Sequence, residues 1–190
     1  MTLLLASLAA GCAHVEKAPD LSKQRLVLSE GYSLLYKDAG KFDFAELILA
    51  MKVESEAMHE IVTAVAAAGD RLEKDLERIA RDYPGVRIDL DPLPEMEKRK
   101  RAAIAKDRAR DFAPVVGKGG RESERTVLIG YANGLNHERH LCQVMAEAEP
   151  DAGLKKFLLD AGKRYDDLYD RVIALLEKEH FKDPSGKTRD

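Results

Sequence analysis

Two glutamates stand where apolar side chains are expected. At about 100° of helical rotation per residue, Leu47, Met51, Glu54, Met58, Ile61 and Val65 share one face of a helix. Further along, Leu128, Tyr131, Leu135, Glu138, Cys142 and Met145 do the same. Glu54 and Glu138 therefore lie within apolar stripes. A carboxylate buried there without a partner is costly, so it must keep its proton, pair with another group or bind a cation. The expected non-metal solution is that the two share a proton, or bond to Tyr32, Tyr131 or Tyr165. His137 and His140 flank Glu138, but both point away from its stripe. Cys142 reads as a small buried hydrophobe.

The elements that must position these groups are helical. Charged residues make up 34% of the chain and aromatics 6%, with no Trp, a mixture that favours helices over a sandwich of strands. A first helix is expected over 22–38, stopped by Gly40 with positive φ. Asp43 and Glu46 then form an acidic capping pair ahead of a seam. That seam runs Phe44, Ile48, Met51, Ser55, Met58, Val62, Val65, Gly69, Leu72, Leu76, Ile79 and Tyr83, which predicts one helix over 43–83 with a break near Gly69-Asp70 as an alternative.

Residues 85–94 read as an extended connection, 95–112 as a charged helix, and 113–120 as a turn. Helices over 121–149 and 151–181 follow, with Asp151 as N-cap after Pro150. In the last, Leu154, Leu158, Ala161, Tyr165, Leu168, Val172 and Leu175 hold a seam. The fold class expected is all-α: an antiparallel four-helix bundle with a long helical crossover between two hairpins. The half-stripe Leu72, Leu76, Ile79 and Tyr83 offers a docking seam if the protein is a coiled-coil adaptor.

This arrangement resembles the ferritin-like superfamily, rubrerythrin-type proteins included. The stretch AEAEPDAGLKKFLLDAGKRYDDLYDRV looks like the final hairpin of those proteins, and Glu56-Ala57-Met58-His59 matches a Glu-x-x-His pair. The resemblance implies iron or manganese as cofactor, with Glu54, Glu138, His59 and Glu30 as metal-ligand candidates. The pattern is incomplete. Glu56 points away from the seam, and the last helix offers Tyr165 and Leu168 where a second Glu-x-x-His would fall. A binding or structural role without catalysis is the leading expectation, with a di-metal oxidase or metal-binding protein of the envelope as the alternative.

The leader MTLLLASLAAGC resembles the lipobox of bacterial lipoproteins. An apolar run too short to span a bilayer leads into Ala9, Ala10 and Gly11, directly before Cys12. The resemblance implies cleavage after Gly11 and acyl chains such as palmitate on Cys12, which would be the contact with the membrane. Ala13 after the cysteine implies the periplasmic face of the outer membrane. The chain then divides into a signal peptide (1–11), a tether (12–21), a helical domain (22–181) and a disordered tail (182–190). The 31 basic and 34 acidic residues give a net charge of −3, with no global attraction to nucleic acid. Lys98-Arg99-Lys100-Arg101 reads as a solvated face among acidic neighbours. A protein partner stays open.

Overall fold

The computed structural model describes residues 21–44, 55–112 and 120–181, and all the regular structure in them is helical. Cys12, Glu54, the leader, the turn 113–119 and the tail 182–190 lie outside the described residues. Among the described residues five α-helices follow one another: α1 (Leu21–Ala39), α2 (Glu56–Asp82), α3 (Glu95–Phe112), α4 (Arg121–Ala148) and α5 (Ala152–Leu176). A 3-10 turn, Gly40–Phe44, continues α1, and a π-turn, Glu177–Phe181, ends α5.

The seams close on one another as the periodicity requires. Leu28, Tyr32 and Leu35 of α1 share a single core with Met58, Val62, Val65, Leu72 and Leu76 of α2. Leu128, Leu135 and Cys142 of α4 join it, with Leu154, Leu158, Tyr165 and Val172 of α5. Leu72, Leu76 and Ile79 are thus covered by the protein's own helices, and only Tyr83 of that half-stripe is exposed. The adaptor seam is spent on the core. On α5 the seam closes on Leu176, which is buried, one position beyond the expected Leu175.

Two boundaries differ from expectation. The seam over 43–83 does not belong to one helix, because Ser55 has an extended backbone (φ −99°, ψ 134°) and its side chain accepts the Met58 amide. It is an N-cap, and α2 starts after it. Asp43 falls inside the 3-10 turn, and its expected capping partner Glu46 lies outside the described residues. Gly40 also lacks the positive φ expected of a helix stop; among the described residues only Gly120, at the start of α4, has one. At the other end α2 stops at Asp82 before Pro84-Gly85, and it runs unbroken through Gly69-Asp70.

The absence of a Cβ at Gly69 has a packing reason. A Cβ there would lie 2.9 Å from the Ala39 carbonyl oxygen and 3.0 Å from Phe42 Cβ. Gly69 therefore lets the turn after α1 press against α2, a contact that outweighs the helix propensity lost at a glycine.

The extended connection after α2 finds its hydrogen bonds on α1. The Arg87 amide donates to Ser29 Oγ (3.3 Å), and the Leu90 amide donates to Ser33 Oγ (3.1 Å). The same hydroxyls donate to the carbonyls of Gly85 and Arg87. Two serines inside a helix thus satisfy a segment that has no strand beside it. In α3 all four residues of the basic run are ion-paired: Lys98 with Asp91, Arg99 with Glu95, Lys100 with Glu97, and Arg101 with Glu97 and Asp38. Among the described residues no helix is long and apolar enough to cross a membrane.

Candidate functional site

Glu138 sits midway along α4 at the angle of Leu135 and Cys142, and it is 2% exposed. Its Oε2 has no hydrogen-bond partner, and neither has the hydroxyl of Tyr131 or Tyr165. Burial, reinforced by the nearby charge of Asp38, pushes the Glu138 carboxyl up to about 8. Burial also raises Tyr165, with the charge of Glu138 adding to it, and pushes Tyr131 and the Cys142 thiol up to about 12. At neutral pH the dominant form is therefore a protonated carboxyl among protonated phenols and a thiol, a set with unused hydrogen-bonding capacity in an apolar core.

The wall of this site is the 3-10 turn. Phe42 is 8% exposed and stacks on Tyr165, with ring centroids 6.0 Å apart. It enters between Gly69 of α2 and Gly134 of α4, where an added Cβ would meet its Cε1 at 3.3 Å. Gly134 lies about one helical turn before Glu138, so the ring covers the core directly beside the carboxyl. Outside it, Lys41 pairs with Asp38, and Arg101 approaches Asp38 at 3.7 Å.

The remaining metal-ligand candidates are dispersed. His59 is exposed in the first turn of α2, Glu56 is exposed beside it, and Glu30 is half-buried on α1. Among the described residues no three His, Cys, Asp or Glu side chains come together in a group able to hold a metal ion. Ser55 donates its amide to Glu124 Oε1 at 3.1 Å. Glu124 is in the first turn of α4, roughly 20 Å along the helix from Glu138 at 1.5 Å per residue. Among the described residues, the chemistry at Glu138 is that of one protonatable carboxyl coupled to the Tyr165 phenol and the Cys142 thiol. His137 and His140 are exposed, as their angle predicted, and His140 lines a shallow cleft of about 540 Å³ on the outer side of the α4–α5 hairpin.

A second buried glutamate escaped the sequence reading. Glu149 follows the last residue of α4, and its side chain is 0% exposed. Arg25 donates two hydrogen bonds to it, at 3.0 and 2.8 Å. The Tyr32 hydroxyl donates another at 3.0 Å, and the Asp151 amide a fourth at 3.1 Å. Tyr32, expected as a partner for Glu54 or Glu138, is engaged here instead. The only sequence signal for Glu149 was its place one residue before Pro150, where no periodic pattern marks a side chain as inward.

Compared with family models, with curated proteins and with solved structures, the chain shows no match.

Proposed function

We propose that the protein is a lipid-anchored component of the bacterial envelope, held by acyl chains on Cys12 at the periplasmic face of the outer membrane. Its helical body serves a binding or structural role and not catalysis. The observation that carries this reading is the sequence MTLLLASLAAGC, an apolar run and small residues ending on a cysteine, followed by the polar stretch HVEKAPDLSKQ.

The body is proposed to be an antiparallel four-helix bundle of ferritin-like form. Its contacts support that reading. Between α1 and α4, Gln24 meets Ala148 while Phe42 meets Gly134; between α1 and α2, Tyr36 meets Glu77 while Phe42 meets Gly69. Between α4 and α5, Cys142 faces Gly162 while Arg139 pairs with Asp166; between α2 and α5, Tyr83 lies beside Gly153 while Arg164 reaches Asp75. In every pair one index falls as the other rises. Two hairpins joined by a crossover that carries α3 account for all four.

The test is mass spectrometry of the protein extracted from bacterial membranes. The expected N-terminal peptide starts at Cys12 and carries acyl groups, while a Cys12→Ser variant keeps residues 1–11 and lacks the acyl mass. An unmodified wild-type protein retaining residues 1–11 in the soluble fraction would contradict the reading.

A further inference from the structure

The feature that the envelope role leaves unused is the arrangement around Glu138. We propose that the turn Gly40–Phe44 is a plug gated by Glu138: while the carboxyl keeps its proton Phe42 stays in the Gly69–Gly134 notch, and loss of the proton to solvent releases the turn and admits water to the core.

The geometry singles out this turn. An ionised Glu138 must hydrate its unpartnered Oε2 or find a cation, since an isolated buried carboxylate is strongly disfavoured. On the α5 side the way is closed, because the hairpin is packed so tightly that a Cβ at Gly162 would lie 3.2 Å from Cys142 Cβ. On the other side stands a five-residue 3-10 turn, a weaker element than an α-helix. Both glycines of the notch are shaped to its Phe42.

The charges point the same way. Facing Glu138 from α1 and the turn are Asp38 and Lys41, and from α3 Arg101. From α5 come Tyr165, whose phenol couples to the carboxyl and to Cys142, and Arg164, whose charge couples to Cys142 and Tyr165 and which lies 3.9 Å from Asp75 of α2. Along α4 the titratable neighbour is Cys142. Lys41 and Arg101 stand outside the plug, Lys41 paired with Asp38 and Arg101 with Glu97 and Asp38. Displacing Phe42 gives the carboxylate access to water and to both cations.

The sign follows from linkage. The closed form holds the Glu138 proton to about 8, whereas a hydrated carboxyl loses it near its ordinary value of 4.5. Opening is therefore independent of pH below that value, grows by up to about tenfold per pH unit through the interval, and levels off above about 8.

Cys142 reports on the gate. It is 0% exposed and lies next to Glu138, and with Cys12→Ser in the full-length chain it is the only thiol, since the sequence has two cysteines. Its alkylation by iodoacetamide is compared between this parent and the same chain carrying Glu138→Gln, from pH 6 to pH 9. The Glu138 charge also raises the Cys142 thiol, which slows the parent relative to the variant as pH rises, so a rising ratio of rates reports the gate and not thiolate formation. The ratio is expected to rise at least tenfold between pH 6 and pH 8 and then flatten; a ratio that stays level overturns the proposal.

Phe42→Ala supplies an independent arm, with rapid alkylation expected already at pH 6. Labelling no faster than the parent would overturn the role of Phe42. Amide exchange of parent against Glu138→Gln at the same pH is expected to lose protection at residues 40–42 and 131–142 and to keep it at 154–158. Uniform loss would mean global unfolding and would overturn a local gate.

Discussion

Glu138 and Glu149 are eleven positions apart in sequence and almost equally buried, at 2% and 3% exposure, yet they face opposite circumstances. Glu149 has a guanidinium held in two-point contact, a phenol and a backbone amide. The oxygen Oε2 of Glu138 has no partner. The first glutamate ties α1 to the α4–α5 turn; the second is a protonatable group held in the core. Burial alone does not set the role of a carboxyl. The donors brought to it by other helices do.

The largest effect that would sharpen this contrast is expected at the satisfied site. Arg25→Ala leaves Glu149 buried without its cation and is expected to cost about 3–5 kcal/mol of unfolding free energy, read from urea denaturation. A loss below about 1 kcal/mol would mean that the pair does not hold that end together. Glu138→Leu works in the other direction, because it removes an unsatisfied polar group. A gain of about 2 kcal/mol is expected at pH 8. The sign follows from a carboxyl raised from 4.5 to about 8 in the folded protein. Folding is unaffected by that titration below 4.5, loses stability as pH rises towards 8, and loses no more above it. The gain from Glu138→Leu therefore shrinks towards pH 4.5, and a gain independent of pH would break the comparison.

How much of this contrast the sequence carries depends on the kind of signal. Periodicity placed Glu138 inward because five other α4 residues share its angle, and it placed the α2 core from Met58 to Ile79 for the same reason. The same angular test put Ser55 into a helix interior. Angle does not register that a serine hydroxyl can cap, and the cap won. Glu149 was silent because it follows a helix end, and its partners Arg25 and Tyr32 are 124 and 117 positions away. Phe42 and its two glycines were silent for a related reason: the contact is a three-body fit between elements, and no single stretch encodes it. Of the expected metal set, Glu138, His59 and Glu30 do not come together, because they share residue type without sharing a level in the fold, and Glu54 lies outside the described residues.

Smaller effects test the surroundings of each glutamate. Gly69→Ala crowds the Ala39 carbonyl and Phe42, and a net loss of about 1–2 kcal/mol in thermal unfolding is expected after the gain in helix propensity. Gly130→Ala, on the same helix as Gly134 but with nothing within 4 Å, is expected to gain up to about 1 kcal/mol. Equal effects at the two positions would remove the packing reason for the notch. Beside Glu149, Asp151 caps α5 by accepting the Leu154 amide at 2.9 Å. Asp151→Ala is expected to cost about 1 kcal/mol, and a larger loss would show that the cap and the Glu149 cluster act as one unit.

The most direct measurement is the carboxyl ¹³C shift of Glu138 followed by NMR from pH 3 to pH 10, assigned by its absence in Glu138→Gln. The account predicts a single titration centred near 8, the consequence of burial beside Asp38. A midpoint near 4.5 would contradict it, because Glu138 would then be hydrated or paired in the native fold, and neither the contrast with Glu149 nor the Phe42 plug would stand.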